Sequence, residues 1–364
     1  MKVKIAISEP PEVIDPLITD LAACIAKSKR VLVITGAGIS CSGGIPDFRS
    51  SDGLYDLVKK KHPDIVLRGK ELFDAMLFRD EKQIKCFYTF MAELKRLISS
   101  AAPTPTHAFI QKLKQNGQLL RCYTQNIDCL EESIDLPVIQ LHGSMNKVKC
   151  TLCPATYKFT TRMENQFRRG VAPPCPQCTI VDCERIRQGK RSLATGTLRP
   201  DVVLYNEEHP NGDIIGQMQT SDLKKKPDLM IVMGTSLKIP ALKKFIKQAS
   251  RMIHATKTGR VIFVNRTQAT KEWEKVFDYE VLGDTDHWVK IIEKKMADEK
   301  TMAAAVTRLK RSISSVSDED DKENTIASGT KKTVTLNVSS SKQTTLKGFR
   351  VTKSAATTKR TKTA

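Results

Sequence analysis

Five short apolar runs punctuate the chain, at residues 31–34, 119–123, 138–141, 229–233 and 261–264, and longer amphipathic stretches fill most of the intervals. Runs this short and nearly continuous in hydrophobicity mark strands buried on both faces, while the intervals carry helical periodicity. The alternation predicts an α/β fold: a doubly wound, Rossmann-like parallel sheet. Helices are predicted over 20–27, beside the first strand, and over 106–115, entered through Pro103 and Pro105.

Two stretches interrupt this rhythm. Residues 60–100 are rich in helix formers with apolar spacing at Leu72, Met76, Phe87, Met91 and Leu94, and read as an inserted helical module whose Phe87, Phe90 and Met91 fill a core. Residues 146–197 form a second insertion built around cysteines. Residues 301–364 are about one-third Ser and Thr, with thirteen Lys and Arg against five Asp and Glu, too polar to fold alone. The predicted organisation is an ordered domain over 1–297, with a large domain at 20–59, 101–145 and 198–295, a helical module at 60–100 and the cysteine-bearing insertion at 146–197. A disordered basic Ser/Thr-rich tail over 298–364 completes it.

No run approaches the roughly 18 apolar residues of a membrane span, and the first residues lack a secretory apolar region, so a soluble, intracellular protein is expected. Ten cysteines in that setting favour metal or reduced thiols over disulfides. Cys150-x-x-Cys153 and Cys175-x-x-Cys178 are separated by 21 residues with prolines at the turns, the pattern of a tetrahedral Zn²⁺ site. Four sulfurs leave no open position, so the zinc is expected to be structural, with Cys183 a spare thiol. The formal charge of +20 points to an acidic partner, nucleic acid or a chromatin surface. The basic segment 185–191 leaves two readings, contact with acidic histone or DNA, or a solvated loop.

The strand at 31–34 runs directly into Gly36-Ala37-Gly38-Ile39-Ser40, then Gly44-Ile45-Pro46-Asp47-Phe48-Arg49 and Asp52-Gly53-Leu54-Tyr55. Glycines after a buried strand let backbone approach a pyrophosphate, but Cys41 breaks the G-x-G-x-x-G dehydrogenase fingerprint and makes hydride transfer less favoured. Asp47, Phe48 and Arg49 suit a charged, partly aromatic ligand better than a core. His142 follows the strand at 138–141, at the carboxyl end where such folds bind ligands, and its imidazole suits a general base near neutral pH.

Together with Thr124-Gln125-Asn126-Ile127-Asp128, Leu141-His142-Gly143 and Gly234-Thr235-Ser236-Leu237, these segments resemble the sirtuins, NAD-dependent protein lysine deacylases, over about residues 20 to 295 in one consistent order. Within that family, residues 198–207 and 73–78 look most like the fungal nuclear branch acting on the core of histone H3. The resemblance implies that NAD is consumed as a co-substrate. The acetyl oxygen attacks the nicotinamide ribose, nicotinamide leaves, and His142 activates a ribose hydroxyl that closes on the acyl carbon. The products are deacetylated lysine, nicotinamide and O-acetyl-ADP-ribose.

It further implies that Asn126 and Asp128, with Gln125 and Ile127, orient ribose and the nicotinamide amide, and that Asp47 and Phe48 frame the nicotinamide pocket. Arg49, Tyr55 and the Gly36, Ala37, Gly38 and Ser40 loop join the cofactor site, as do Gly234, Thr235 and Ser236 at a phosphate and Asn265 at the adenosine ribose. Val203, Leu204 and Tyr205 face Leu237, Lys238 and Ile239 across an acetyl-lysine peptide laid in as a strand. Asn206 occupies a position that is glycine in most of the family, and puts substrate preference in question.

The expected partners are acetylated histone, H3 in particular, and a chromatin or nucleosome surface, in the nucleus, with roles in silencing and genome maintenance and no membrane association. Gln343, Leu346 and Phe349 have the spacing of a sliding-clamp peptide, although Arg350 replaces its second aromatic. Alternatives are an ADP-ribosyltransferase or longer-chain deacylase on the same fold, or a non-catalytic zinc-ribbon chromatin adaptor.

Overall fold

A computed structural model describes residues 3–46 and 71–320. Among these, seven strands form one sheet in the order β1-β10-β9-β8-β2-β3-β4. They are β1 (Val3–Ala6), β2 (Val31–Thr35), β3 (Leu119–Thr124), β4 (Ile139–Gln140), β8 (Leu229–Met233), β9 (Arg260–Asn265) and β10 (Tyr279–Leu282). Every pairing is parallel. Every residue of β2 and β8 is buried, the central position their continuous apolar runs predict. Helices α1 (Pro11–Lys27), α3 (Pro105–Gln115) and the first turns of α8 (Thr285–Asp320) cover one face through Ile18, Leu21, Ile110 and Trp288. Helix α7 (Pro240–His254) covers the other through Leu242, Phe245 and Ile246, with α6 (Gly212–Lys224) contributing Leu223. This is the doubly wound architecture read from the sequence.

From β2 the chain proceeds to β3 and β4 on one side, and from β8 to β9 and β10 on the other. The order therefore reverses between β2 and β8, where open α/β sheets bind ligands beyond the strands' carboxyl ends. The edge strand β1 and its neighbour β10 were not predicted. Each has only four residues, and the charged Lys4 and Glu280 interrupt their apolar pattern.

A second core joins the two insertions. Helix α2 (Glu81–Ser100) presents Phe87, Met91 and Leu94 to Met145 and Val148 of β5 (Gly143–Cys150), to Leu198 and Val202 of β7 (Leu198–Val202), and to Phe159 and Phe167. The phenol of Tyr88 donates to the Leu198 carbonyl at 3.1 Å. Antiparallel β6 (Thr156–Lys158), β5 and β7 make the small sheet, which α4 (Thr161–Arg168) and α5 (Pro176–Arg187) accompany. The small sheet thus starts before residue 146 and ends after 197, and the two inserted modules share one hydrophobic core.

Two helices are longer than expected. α1 begins at Pro11, because Pro occupies its first turn and Ile14, Ile18, Leu21 and Ile25 continue one buried face. α8 continues past residue 297 to Asp320, through the helix-favouring run Met302-Ala303-Ala304-Ala305. Residues 321–364, with the clamp-like Gln343, Leu346 and Phe349, lie outside the described residues.

Candidate functional site

At the switch point, backbone packs on backbone. The Gly36 N–H donates to the Met233 carbonyl at 3.1 Å, and the Gly38 N–H to the Gly234 carbonyl at 2.9 Å. A Cβ on Gly36 would stand 2.7 Å from the Gly234 oxygen, and one on Gly38 would stand 2.8 Å from the Gly234 Cα. Gly234 has φ +62°, and a Cβ there would meet the Ile39 nitrogen at 2.7 Å. No side chain fits at any of the three, so the loops after β2 and β8 close to a distance that only glycines permit. Ala37 begins a short 3-10 turn that runs to Ile39.

The loop after β3 is bonded into the same place through Ser40, which is fully buried. Its hydroxyl donates to Asp128 Oδ2 at 2.8 Å and accepts from Asn126 Nδ2 at 3.1 Å. Asn126 is itself buried, and its Oδ1 has no partner among the described residues. The Gln125 amide donates to the Thr35 carbonyl at 3.1 Å and to Thr235 Oγ1 at 2.8 Å, joining the ends of β2, β3 and β8. Buried Ile127 receives the Met145 N–H on its carbonyl at 2.9 Å, anchoring this loop to β5.

His142 lies between β4 and β5, with Nδ1 3.1 Å from the Gln125 carbonyl. A carbonyl only accepts, so Nδ1 carries the proton and the neutral ring has its lone pair on Nε2. That arrangement is what a general base requires.

Burial pushes the Asp128 carboxyl up, against the Ser40 hydroxyl and the Leu130 N–H, which favour the charged form. Glu131, 1% exposed, is pushed up to about 7, by burial first and by the Asp128 charge second. Sequence reasoning did not single it out, since a Glu after Leu130 resembles any helix-start acid. Because its folded pKa exceeds the ordinary 4.5, stability from this group is complete below pH 4.5 and is lost as pH rises through 7. The loss amounts to roughly 3 kcal/mol. Melting temperature followed from pH 5 to 8 is expected to fall more steeply for the parent than for Glu131→Gln; parallel curves would remove this assignment.

Asp286 is another residue the sequence did not mark. It accepts from the hydroxyl of Ser42 in the glycine loop, and at Oδ1 from the Thr106 N–H at 2.9 Å, tying that loop to α3. Beside it, the Thr104 hydroxyl donates to the Ile39 carbonyl at 2.8 Å. His107, which burial pushes down to about 4, stays neutral and accepts the Thr104 N–H at Nδ1.

Other predicted residues fall around this centre. Thr235 is buried, Ser236 and Lys238 are exposed, Leu237 is buried at φ 56°, and Ile239 caps α7. The amide of Asn265 is turned into its own loop, donating to the Thr267 carbonyl at 3.1 Å and hydroxyl at 2.9 Å. Asp47, Phe48, Arg49 and Tyr55 lie outside the described residues. The N–H groups of Val203, Leu204 and Tyr205 donate to the His142 carbonyl, to Glu207 Oε2 and to the Phe73 carbonyl. Asn206 adopts φ 61°, the left-handed conformation that glycine takes freely and Asn tolerates, and donates from Nδ2 to Asp74 Oδ2 at 2.7 Å. Asn206 thus holds a left-handed turn against Asp74.

The sulfurs of Cys150, Cys153, Cys175 and Cys178 lie within 4.8 Å of one another. The pairs Cys150–Cys178 and Cys153–Cys175 stand 3.8 and 3.7 Å apart. A tetrahedron with Zn–S bonds of about 2.3 Å has edges of about 3.8 Å. The Leu152 and Cys153 N–H groups point at the Cys150 sulfur at 3.3 and 3.4 Å, as suits a thiolate. The cluster fits a structural zinc ion, and Cys183 is not part of it.

Residues 36–241 match the pattern of the Sir2 family. The chain is 44% identical over 298 residues to the NAD-dependent histone deacetylase HST3 of Candida albicans, an alignment covering 75% of this chain and 61% of the relative. It is 42% identical over 281 residues to the NAD-dependent protein deacetylase hst4 of Schizosaccharomyces pombe, covering 73% and 66%. The match therefore spans about two thirds or less of these relatives' length. Among solved structures, a Sir2 homologue in complex with NAD superposes at TM-score 0.58 with 25% identity, covering 76% of this chain and 94% of that one. A chain from a study of the mechanism and regulation of Sir2 enzymes gives 0.57 with 28% identity, covering 78% and 99%.

Proposed function

The chain belongs to the Sir2 family, and from that premise we propose that it is an NAD-dependent protein lysine deacetylase acting on acetylated histone. The observation that carries the reading is the fixed imidazole of His142, its Nδ1 held by the Gln125 carbonyl beside the loop that bears Asn126 and Asp128. The glycine-lined crevice between β2 and β8 receives the pyrophosphate of NAD. Asn126, its buried Oδ1 without a partner among the described residues, orients the ribose and nicotinamide amide with Asp128 and Gln125. As the acetyl oxygen displaces nicotinamide, positive charge develops on the sugar, and fixed dipoles in a site shielded from water stabilise it. Nε2 of His142 then takes the proton of the ribose hydroxyl that closes on the acyl carbon. Cys150, Cys153, Cys175 and Cys178 would hold a zinc ion with all four positions taken by sulfur, which would stabilise the small lobe and leave the chemistry to the residues above.

Histone H3 as the substrate, a nucleosome as its setting, the nucleus as the site of action and a role in silencing extend this reading, supported by the basic charge and by relatives named as histone deacetylases. The acetyl-lysine peptide lies between the segments 203–205 and 237–239. The N–H groups of 203–205 are already engaged, and the Leu204 and Tyr205 carbonyls accept the Glu207 and Ala75 N–H groups, so its main-chain bonds on that side go to the Val203 carbonyl and to the Asn206 turn.

Nicotinamide, deacetylated peptide and O-acetyl-ADP-ribose are expected to appear in equal amounts from NAD and acetylated H3 peptide. Nicotinamide release with the acetyl group retained would point to ADP-ribose transfer, and no release at all to an adaptor. Gly38→Ala is expected to raise KM for NAD about tenfold or more, because the new methyl displaces Gly234; steady-state kinetics at saturating peptide checks this.

A further inference from the structure

Helix α5 buries none of its twelve residues. Ile180, Cys183 and Ile186 recur at i, i+3 and i+6 and form one exposed stripe, with Ile180 63% and Ile186 55% accessible. Leu152, Val171, Val181 and Leu193 on the same lobe are also exposed. Six of the twelve large apolar side chains exposed among the described residues thus sit within residues 146–197, a density that marks an interaction site.

The surface is shaped. Asp182 Oδ1 accepts from the Ser192 hydroxyl at 2.9 Å and the Leu193 N–H at 2.7 Å, and Arg185 Nε donates to the Arg191 carbonyl at 3.3 Å. These bonds hold the loop after α5, which carries Lys190 and Arg191, against the helix, and Arg187, seven residues after Ile180, lies on the face of the apolar stripe. Residues 146–197 carry ten Lys and Arg against three Asp and Glu. Cationic charge alone would suit a phosphate backbone, which offers little to four exposed isoleucine and leucine side chains. Charge and apolar area together fit a protein surface that is acidic and partly apolar.

We propose that the exposed face of α5 and its following loop dock on an acidic, partly apolar protein surface of the histone assembly that carries the substrate, and not on its DNA. The proposal rests on the histone-deacetylase reading for its partner, while the surface lies on the zinc lobe, apart from the catalytic residues. Docking there supplies affinity for an assembled substrate that a free peptide lacks.

The test uses the full chain with nucleosome core particles, naked DNA of the same length and an acetylated H3 peptide as probes. The variant Ile180→Ser/Ile186→Ser changes no charge and no buried group, so it is expected to keep its zinc and its peptide turnover. Its nucleosome affinity is expected to fall about tenfold, with DNA affinity within about twofold of the parent. Arg187→Ala/Arg191→Ala is expected to weaken nucleosome binding and flatten its salt dependence. Unchanged nucleosome affinity in the serine variant would overturn the proposal, and so would a parallel loss on naked DNA, which would make DNA the occupant. If the parent turned over no peptide, the deacetylase reading would fail, while the two binding measurements would still decide whether this face docks.

Discussion

His142→Ala is expected to lower kcat for NAD-dependent deacetylation by about 10²- to 10⁴-fold, the usual worth of a positioned general base. The loss follows from the tautomer: with Nδ1–H committed to the Gln125 carbonyl, Nε2 is the nitrogen that takes a ribose proton, and alanine offers none. KM for NAD is expected to change little, because the crevice between β2 and β8 is built from Gly36, Gly38 and Gly234 and not from the imidazole. His142→Asn separates base from scaffold. Its amide can still donate toward the Gln125 carbonyl, so it is expected to fold like the parent and to lose as much turnover as alanine. Exchange of labelled nicotinamide into NAD, which precedes the proton transfer, is expected to survive in both variants. A variant that deacetylates as fast as the parent would end the assignment.

Replacing Cys175 with Ser is expected to release the zinc and unfold the small lobe. Metal binding by four thiolates contributes apparent free energy on the order of 10 kcal/mol to such modules. Cys175 is fully buried, and Gly196 sits so close to the site that a Cβ there would meet the Cys150 sulfur at 2.4 Å. Among the described residues no other Cys, His, Asp or Glu joins this cluster. Because Phe159 and Phe167 pack in one core with Phe87 and Met91 of α2, melting is expected to spread to that helix and to remove activity. Metal analysis should give one zinc per chain in the parent and in Cys183→Ser, and none in Cys175→Ser. Loss of zinc from Cys183→Ser would show the ligand set to be wrong.

The central strands were legible because burial on both faces leaves a continuous apolar run, as in β2 and β8, and the zinc ligands because their spacing is local. Contacts between distant segments left no such trace. Nothing around Tyr88 announces its bond to Leu198, 110 residues on, and nothing around Asp286 announces that it holds Thr106, 180 residues earlier. The single shared core of the two insertions follows from contacts of this kind. Asn206 is an intermediate case: its departure from glycine was visible in the sequence, whereas the left-handed φ and the Asp74 bond that accommodate it are visible only in three dimensions. Glu131 went unread for another reason, since burial, and not residue type, gives that carboxyl its character.

A crystal structure of the protein with NAD and an acetylated H3 peptide tests the central claim most directly. The account predicts the pyrophosphate against Gly36, Gly38 and Gly234, and Nε2 of His142 within about 3 Å of a ribose hydroxyl, the reach proton transfer needs. Dinucleotide density elsewhere, with the imidazole remote from the ribose, would contradict it.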